Sequence, residues 1–408
     1  MPGSINRIKK HQVVCIVTKE LRRYGQEVSY RIKPVLLLFF ALVFSDAVTA
    51  GITHVIFVVN RTSNGGTAGK VWDDEIAPLV DKRLTVPGSA SQGAAQKIPT
   101  YEVAFTTGGD SGTKISSDAY SQWLKRKPGK DDQLLVVAAG GDGTVSDVVQ
   151  PFVDNERVVF GIFPIGTANE LARSLGVFGL VWQQTLDVLL HGDSRRVGAY
   201  KVDACLRQDP SIKHTVYAVD EVDIGFLTKA SEVKRAHDTG ERPSRLLQYT
   251  PRSFIYTVAA LSYAFEWFSP GLALTFDGQR EASDIGLFLA YTGSSSGGFY
   301  QLFPAMTPDK ARGQSLISTS KKGWKVFFQL SSHLMTGYSN LRWNEFNSVR
   351  VDHSEKAKPE VVQVDGELRL QTPADIKWVK EIFTFKVPWK KLNAATNSDQ
   401  APLPGQHE

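Results

Sequence analysis

Cysteine is scarce in this sequence, and the scarcity limits how the chain can be stabilised. Its 408 residues include two cysteines, Cys15 and Cys205, which are too few for a disulfide framework and lack the spacing of a metal site. Hydrophobic burial must therefore stabilise the fold, and a reducing compartment is the default environment.

A large charge excess and a membrane-spanning apolar run are also missing. The formal net charge is +5, which does not indicate nucleic-acid binding but fits a protein that visits anionic membranes. The apolar run Val35–Phe44 has ten residues, whereas a helix needs about twenty to span a bilayer.

Residues 1–50 leave three interpretations open. Basic residues precede the apolar run, and Ala-Val-Thr-Ala follows it at 47–50, as in a signal peptide or membrane anchor. The stretch before the run is, however, longer than the usual basic region of a signal peptide. A surface helix or packed segment is the second interpretation, and a segment outside the working protein is the third.

Residues 134–148, LLVVAAGGDGTVSDV, join a strand, a glycine turn and the start of a helix. The apolar run Leu134–Ala139 is typical of a parallel strand covered on both faces, and from Val145 the apolar positions fall on one helical face. Glycines let backbone N–H groups approach a phosphate, and Asp142 would lie within that anion site. There it could bind Mg²⁺ or accept a hydroxyl proton. An ordinary Asp-Gly turn is the alternative.

A second strand and glycine turn follow about 25 residues later. The apolar strand Val158–Phe163 leads into PIGTANELAR at 164–173, a turn that opens a helix. Because both turns would lie at the carboxyl ends of adjacent parallel strands, we predict that they form two walls of one nucleotide site.

The two motifs together resemble one known family. GGDGT at 140–144, followed by GIFPIGTANELARSLG at 161–176, is similar to the diacylglycerol kinase catalytic domain family, which includes sphingosine, ceramide and bacterial lipid kinases. NAD kinases and phosphofructokinases share the GGDG element but lack the P-x-G-T-x-N segment. The resemblance covers roughly Thr53–Pro388, and it implies ATP and Mg²⁺ as cofactors.

The resemblance also implies which residues contact the nucleotide. The strand His54–Val59 ends in NRTSNGG at 60–66, with Arg61 where related kinases have proline, and the strand Tyr101–Thr107 ends at a nucleotide-contacting threonine. The implied nucleotide-binding residues are Asn60, Ser63, Gly65, Gly66, Thr107, Gly140, Gly141, Gly143, Thr144, Gly166, Thr167, Asn169, Arg252, Asp365 and Gly366.

Two acidic positions are candidates for the general base. Asp-Gly-Glu at 365–367 matches a family motif, although alone it is also a hairpin turn signal. The resemblance implies that Asp142 and Asp365 bind Mg²⁺. It leaves the base open, since sphingosine kinase relatives use the aspartate matching Asp142 and bacterial lipid kinases the glutamate matching Glu367.

The stretch EVDIGF at 221–226 bears on the lipid. Sphingoid kinases carry Asp-x-Asp in this strand, so Asp223 is implied to bind the lipid head group. GTANELAR at 166–173 is closer to the bacterial and multi-substrate members, and a strand-edge acid without a binding role is the alternative for Asp223.

The second half of the chain alternates apolar and polar residues in short runs, which is typical of antiparallel sheet. The apolar stretch Ser253–Phe268 predicts a helix that either belongs to the core or forms one side of an acyl-chain pocket. The predicted strands are Tyr217–Val222, Leu272–Phe276, Ile285–Tyr291, Trp324–Leu330, Ser348–Val351 and Glu360–Val364.

We therefore predict an α/β protein, with an N-terminal three-layer α/β nucleotide-binding domain and a C-terminal, mostly antiparallel β-domain. Residues 1–50 would be an extension of unknown role, 51–195 the ATP-binding catalytic domain, 196–392 the β-rich lipid-binding domain and 393–408 a disordered tail.

The predicted function is an ATP-dependent lipid kinase that phosphorylates a lipid hydroxyl on a sphingoid base, ceramide or diacylglycerol. It would be cytoplasmic, peripherally bound to the membrane that carries its lipid substrate, and without a nucleic-acid partner. A non-catalytic lipid- or nucleotide-binding relative and a NAD-kinase-like enzyme are the alternatives.

Overall fold

The computed structural model describes most of the chain from Gly51 onward, and from Ile52 the chain forms one compact unit. The predicted extension, the predicted tail and Arg252 lie outside the described residues. Within those residues no helix has both the length and the apolar character needed to cross a bilayer. The described residues are 51–85, 99–108, 111–251, 254–269, 271–280, 284–294, 302–303, 306–337, 339–353 and 358–389.

Four parallel strands form the first part of the sheet, in the order β4-β3-β1-β2. They are β1 (Ile52–Val59), β2 (Thr100–Phe105), β3 (Gln133–Gly140) and β4 (Val158–Pro164). Strand β4 and most of β3 are buried, as expected for parallel strands with helices on both faces.

Helices cover both faces of these strands, because successive apolar side chains point to opposite faces. On one face Phe57 packs with Trp72 and Leu189; on the other, Val58 packs with Trp123 and Val148. This arrangement confirms the predicted three layers. The helices are α1 (Thr67–Val71), which continues through a π-helical turn (Trp72–Ile76) into α2 (Ala77–Thr85), then α3 (Ser111–Lys125), α4 (Asp142–Val149), α5 (Glu170–Ser174) and α6 (Trp182–His191).

The second half is mainly antiparallel, as predicted. Its strands are β5 (Asp193–Leu206), β6 (Lys213–Ala218), β7 (Glu221–Gly225), β8 (Leu272–Phe276), β9 (Gln279–Arg280), β10 (Leu287–Tyr291), β11 (Gly313–Ser318), β12 (Arg342–Phe346), β13 (Ser348–His353), β14 (Val361–Val364) and β15 (Glu367–Val387). Its helices are α7 (Phe226–Asp238), α8 (Arg245–Gln248), α9 (Ile255–Tyr263) and α10 (Gly323–Thr336).

The long strand β15 connects the two kinds of sheet. It pairs in an antiparallel manner with β5, β13 and β14, and it meets β4 in parallel at Phe385 and Phe160. The main path through the sheet is therefore β12-β11-β10-β7-β14-β15-β4-β3-β1-β2. This order brings β7 and β14 close to the glycine turns that follow β3 and β4. The division into two domains at residue 195 stays a prediction.

One predicted strand is wrong. Trp324–Leu330 lies within helix α10, where Val326, Leu330 and His333 are buried on one face. The short window WKVFFQL contains no clear period, whereas the spacing of 4 and 3 between the buried positions appears only over the full helix. The predicted strand Tyr217–Val222 is also interrupted, since β6 ends at Ala218 and β7 begins at Glu221.

Candidate active site

The two predicted glycine turns lie side by side at the carboxyl ends of β3 and β4. The strands pair in parallel with Gly140 opposite Pro164. A Cβ atom on Gly166 would lie 2.2 Å from the Cα atom of Gly141, so the two backbones are in contact. Glycine is therefore required here by the close approach of two turns, as the sequence motifs predict.

Asn169 holds the second turn in shape. Its side-chain oxygen accepts a hydrogen bond from the Gly166 amide at 3.0 Å, and its side-chain nitrogen donates to the Gly166 carbonyl at 2.9 Å. The residue is buried and has a φ of +53°, a conformation that asparagine tolerates better than most residues. The structure thus gives this predicted nucleotide-binding residue a role in positioning the turn.

Asn60 and Thr144 link the first turn to the central one. The Asn60 side chain donates to the Thr144 hydroxyl at 3.2 Å, and a Cβ atom on Gly140 would lie 2.3 Å from that hydroxyl oxygen. Thr144 is buried under the turn. Thr107 is exposed, and its backbone amide donates to the Ser111 hydroxyl at 3.1 Å.

A cavity of about 930 Å³ opens in front of these turns and continues into the second half of the molecule. Its first end is lined by the turn residues 62–65, 141–143 and 166–168, and by Gly366. Of the predicted nucleotide-binding residues, Asn60, Gly66, Thr107, Gly140, Thr144 and Asn169 lie outside this lining. The other end is mainly apolar, although Lys234 and Asp238 of α7 also line the cavity; its walls come from α7, α9 and α10, including Phe226, Leu227, Ile255, Phe327, Leu330 and Leu334.

Besides Asp238 on α7, six acidic residues line the cavity: Asp142, Glu170, Asp220, Glu221, Asp223 and Asp365. Burial, followed by the charge of Glu170, raises the pKa of Asp142 to about 7. Burial also raises the pKa of Glu221 to about 7 and that of Asp223 well above its ordinary value. The physical cause in each case is that protein replaces water around a carboxylate.

Asp142 is the first residue of α4, and it remains partly accessible from the cavity. One of its carboxylate oxygens accepts a hydrogen bond from the Leu171 amide at 3.3 Å, which fixes the side chain between the two turns. A carboxylate with a pKa near 7 can accept a proton at neutral pH and release it again.

Asp365 makes backbone contacts that the sequence did not predict. Its two carboxylate oxygens accept hydrogen bonds from three successive backbone amides, those of Val219 (3.0 Å), Asp220 (3.0 Å) and Glu221 (2.9 Å). The side chain therefore fixes the link between β6 and β7, and with it the positions of Asp220 and Glu221.

Glu367, the other candidate base, lies on the exterior. Its side chain is exposed and makes an ion pair with Arg369 at 3.3 Å, and it does not line the cavity. Glu367 is the first residue of strand β15. Side chains alternate between the two faces of a strand, and that of Glu367 points to the exposed face.

Gln363 is a candidate site residue that the sequence motifs did not identify. It lies on β14 two residues before Asp365, and its side-chain nitrogen donates to Glu221 at 2.6 Å and to Asp223 at 3.3 Å. The Tyr291 hydroxyl also donates to Glu221. Its position two residues before the Asp-Gly-Glu motif is the available sequence signal.

Two buried oxygen atoms in this group have no hydrogen-bond partner among the described residues. They are one carboxylate oxygen of Asp223 and the side-chain carbonyl of Gln363. Both residues line the cavity. Buried acceptors normally have a donor, so these atoms fit a ligand that donates hydrogen bonds.

The two predicted magnesium ligands, Asp142 and Asp365, differ in how many acceptor positions they have free for a metal ion. Both residues line the cavity, but three backbone amides already donate to the carboxylate oxygens of Asp365. Within the described part of the chain, no cluster of three or more His, Cys, Asp or Glu residues is arranged to hold a metal. Mg²⁺ often takes only one or two protein carboxylates and completes its shell with phosphates and water, so Asp142 fits such a role, and Asp365 keeps fewer free acceptor positions for it.

Comparison with known proteins shows what this chain is similar to. Residues 54–202 match the model of the diacylglycerol kinase catalytic domain. The chain is 25% identical over 247 residues to a diacylglycerol kinase of Bacillus subtilis, covering 59% of this chain and 73% of that protein. It is 25% identical over 269 residues to a diacylglycerol kinase of Staphylococcus carnosus, covering 63% and 78%.

A solved structure agrees in fold. A crystal structure of a diacylglycerol kinase from Bacillus anthracis superposes with a TM-score of 0.54 at 20% identity, covering 82% of this chain and 97% of that one. The predicted resemblance and the α/β fold class are therefore confirmed. Over the matched residues the chain is similar to diacylglycerol kinases.

Proposed function

We propose that this protein, whose residues 54–202 match the diacylglycerol kinase catalytic domain, is an ATP-dependent kinase that phosphorylates a lipid hydroxyl. One observation carries the proposal: a single cavity joins the glycine turns to an apolar end, with ionisable acids between them. ATP phosphates would bind at the turns, an acyl chain would occupy the apolar end, and the reacting hydroxyl would lie among the acids.

Phosphoryl transfer depends mainly on positioning and on charge stabilisation. The backbone of residues 141–143 and 166–168 would hold the phosphates, because no side chain from the glycines keeps them at a distance. Asp142 would accept the proton of the lipid hydroxyl as the oxygen attacks the γ-phosphorus, and the bond to the bridging oxygen would break to release ADP. A bound Mg²⁺ would neutralise charge on the phosphates, and carboxylates that line the cavity, Asp142 among them, would hold it.

The location of the two candidate bases supports Asp142 over Glu367. Asp142 lines the cavity and has a pKa of about 7, whereas Glu367 is exposed and paired with Arg369. Asp142 would therefore be the base, and the Asp-Gly-Glu motif would act through the Asp365 hydrogen bonds that fix the cavity wall.

The unpartnered oxygens of Asp223 and Gln363 support a lipid whose head group donates hydrogen bonds. A sphingoid base or ceramide offers amino or amide donors as well as hydroxyls. Diacylglycerol offers one hydroxyl and two esters, which are acceptors. Asp223 would therefore bind the head group of a sphingoid-type substrate.

Incubation of the protein with radiolabelled ATP and separate acceptors tests the proposal. The acceptors are diacylglycerol, monoacylglycerol, ceramide, a sphingoid base and NAD, and the Asp142→Asn variant measures contaminating kinases. Label is expected in at least one lipid with the wild-type protein and not with the variant. Label in NAD alone would favour the NAD-kinase-like alternative, and label in no acceptor would favour a non-catalytic relative.

A further inference from the structure

The helices that wall the apolar end of the cavity also carry large apolar side chains on their outer faces. Around α9 these are Leu261 within the helix, Phe254 just before it, and Phe265 and Phe268 in the residues that follow it. On α10 two of them are one turn apart. We name this set the aromatic rim; each member is at least 38% exposed: Phe254, Leu261, Phe265, Phe268, Trp324 and Phe328.

The two rows of the aromatic rim meet in one surface. The backbone amide of Gly323, at the start of α10, donates to the carbonyl of Trp267, just after α9, at 3.0 Å. Phe268 and Lys322 form an antiparallel bridge, and the rings of Trp324 and Phe328 are 6.4 Å apart. The exposed apolar area is therefore shared between helices rather than scattered, and such patches usually mark an interaction site.

Lysines lie at the edge of the rim. The Lys321 ammonium is 5.6 Å from the centre of the Phe268 ring, and the Lys325 ammonium is 5.5 Å from the Trp324 ring. Lys322, between them in sequence, is exposed. Aromatic rings beside lysines are typical of surfaces that enter the interface of a bilayer, where rings bury and ammonium groups meet anionic head groups.

We propose that the aromatic rim docks on the surface of an anionic lipid bilayer. The side chains on another stripe of the same helices, including Ile255 and Phe327, line the apolar end of the cavity. Docking would thus bring that end of the cavity next to the lipid phase, and this link to substrate delivery rests on the proposed function. The charge of the lysines favours a bilayer with anionic lipids as the partner.

Vesicle binding of the full chain tests the rim. The variant Phe265→Ser/Phe328→Ser changes two rings that are 71% and 57% exposed, so the fold should persist, which a thermal melt checks. The control Ile212→Ser changes an apolar residue that is 48% exposed in the turn between β5 and β6. On vesicles of phosphatidylcholine and phosphatidylserine, the double variant should bind at least about tenfold more weakly than wild type, and the control should bind equally well.

A second pair of variants tests the lysines. Lys322→Glu/Lys325→Glu and Lys125→Glu/Lys130→Glu change the net charge equally, but the second pair is exposed on and after α3, in the first half of the chain. Only the first pair should abolish the preference for vesicles containing phosphatidylserine over pure phosphatidylcholine. An equal loss in both pairs would show a general charge effect and would overturn the assignment to the rim.

Two further results would overturn the proposal. One is vesicle binding by the Phe265→Ser/Phe328→Ser variant equal to that of wild type. The other is a wild-type dimer that the same substitutions dissociate, with no vesicle binding, because the rim would then join two copies. Kinase activity on detergent-dispersed lipid keeps this test separate from the proposed function, since rim variants should retain that activity, and vesicle binding can be measured even if no lipid is phosphorylated.

Discussion

At the scale of single residues, Asp142 differs from Glu367 in its surroundings rather than in its chemistry. We expect Asp142→Asn to lower kcat about 10²- to 10⁴-fold, because the amide cannot accept the hydroxyl proton. Glu367→Gln should remain close to wild type, since that side chain is exposed and outside the cavity lining. Steady-state kinetics on both variants measures this, with Asp118→Asn on the surface of α3 as the control. The reverse ranking would assign the base to Glu367.

The raised pKa of Asp142 also predicts how stability depends on pH. Its pKa is about 7 in the folded protein and near 4 when unfolded, so between these values the folded state holds the extra proton. The free energy of unfolding should therefore fall as pH rises from about 4 to 7. In the Asp142→Asn variant the free energy of unfolding should decrease less steeply with pH, as measured by denaturant titrations at several pH values. If the free energies of unfolding of wild type and variant differed by the same amount at every pH, the raised pKa would be contradicted.

Asp365 is predicted to be more important for stability than for chemistry. Asp365→Ala leaves three buried backbone amides without their acceptor, and each buried unsatisfied group costs about 1–3 kcal/mol. We expect the free energy of unfolding to fall by at least about 2 kcal/mol. Glu367→Ala, two residues away and exposed, should change it by less than about 0.5 kcal/mol. Equal stability of the two variants would show that the hydrogen bonds of Asp365 are not stabilising.

Asp223 tests the lipid class. If the head group donates to its free carboxyl oxygen, Asp223→Asn should raise the KM for a sphingoid-type lipid about two- to tenfold, the value of a hydrogen bond to a neutral group, because burial raises the pKa of Asp223. The KM for ATP should not change, because the glycine turns are untouched. Unchanged lipid KM together with efficient phosphorylation of diacylglycerol would reassign the substrate class and leave the kinase proposal standing.

At the scale of elements, the two glycine turns have separable roles. Gly166→Ala places a methyl group 2.2 Å from the Gly141 Cα atom, and a backbone cannot yield as a side chain can, so we expect a loss of about 1–3 kcal/mol or more. A Cβ on Gly143 meets no atom of the described residues within 4 Å, since this glycine faces the cavity. Gly143→Ala should therefore keep the stability of wild type and weaken ATP binding.

Chemical denaturation and nucleotide titration of the two glycine variants distinguish these effects. A stable Gly166→Ala protein would show that the turns separate easily. Normal ATP affinity in Gly143→Ala would place the nucleotide elsewhere than in front of this turn.

At the scale of the whole molecule, the described part of the chain builds its sheet and core from Ile52 onward. Strand β1 begins there and lies between β2 and β3, and its residues belong to clusters on both faces. We therefore predict that a chain beginning at Gly51 folds and binds ATP as the full chain does. Thermal melting and ATP titration of both chains measure this. Insolubility of the shorter chain, with core amides exposed to hydrogen exchange, would show that the run Val35–Phe44 packs into the fold.

The sequence alone determined the features that depend on local patterns. The apolar runs of β3 and β4 predict buried parallel strands, and the glycines after them predict turns that approach each other, because both properties follow from burial and backbone sterics over a few residues. The site at Asp142 followed from these turns. Asp223 and Asp365 were also identified, but not what their side chains contact.

Only the tertiary structure decided how distant residues act together. The pairing of β14 with β7 brings Gln363 next to Asp223, and the turn after β14 brings Asp365 under the amides of residues 219–221. The helical period of α10 does not appear in the seven-residue stretch for which a strand was predicted. In the folded protein, side chains of this helix complete the wall of the cavity. Burial raises the pKa values of the acids only once the chain has folded around them, because a carboxylate's pKa depends on the water that the surrounding protein excludes.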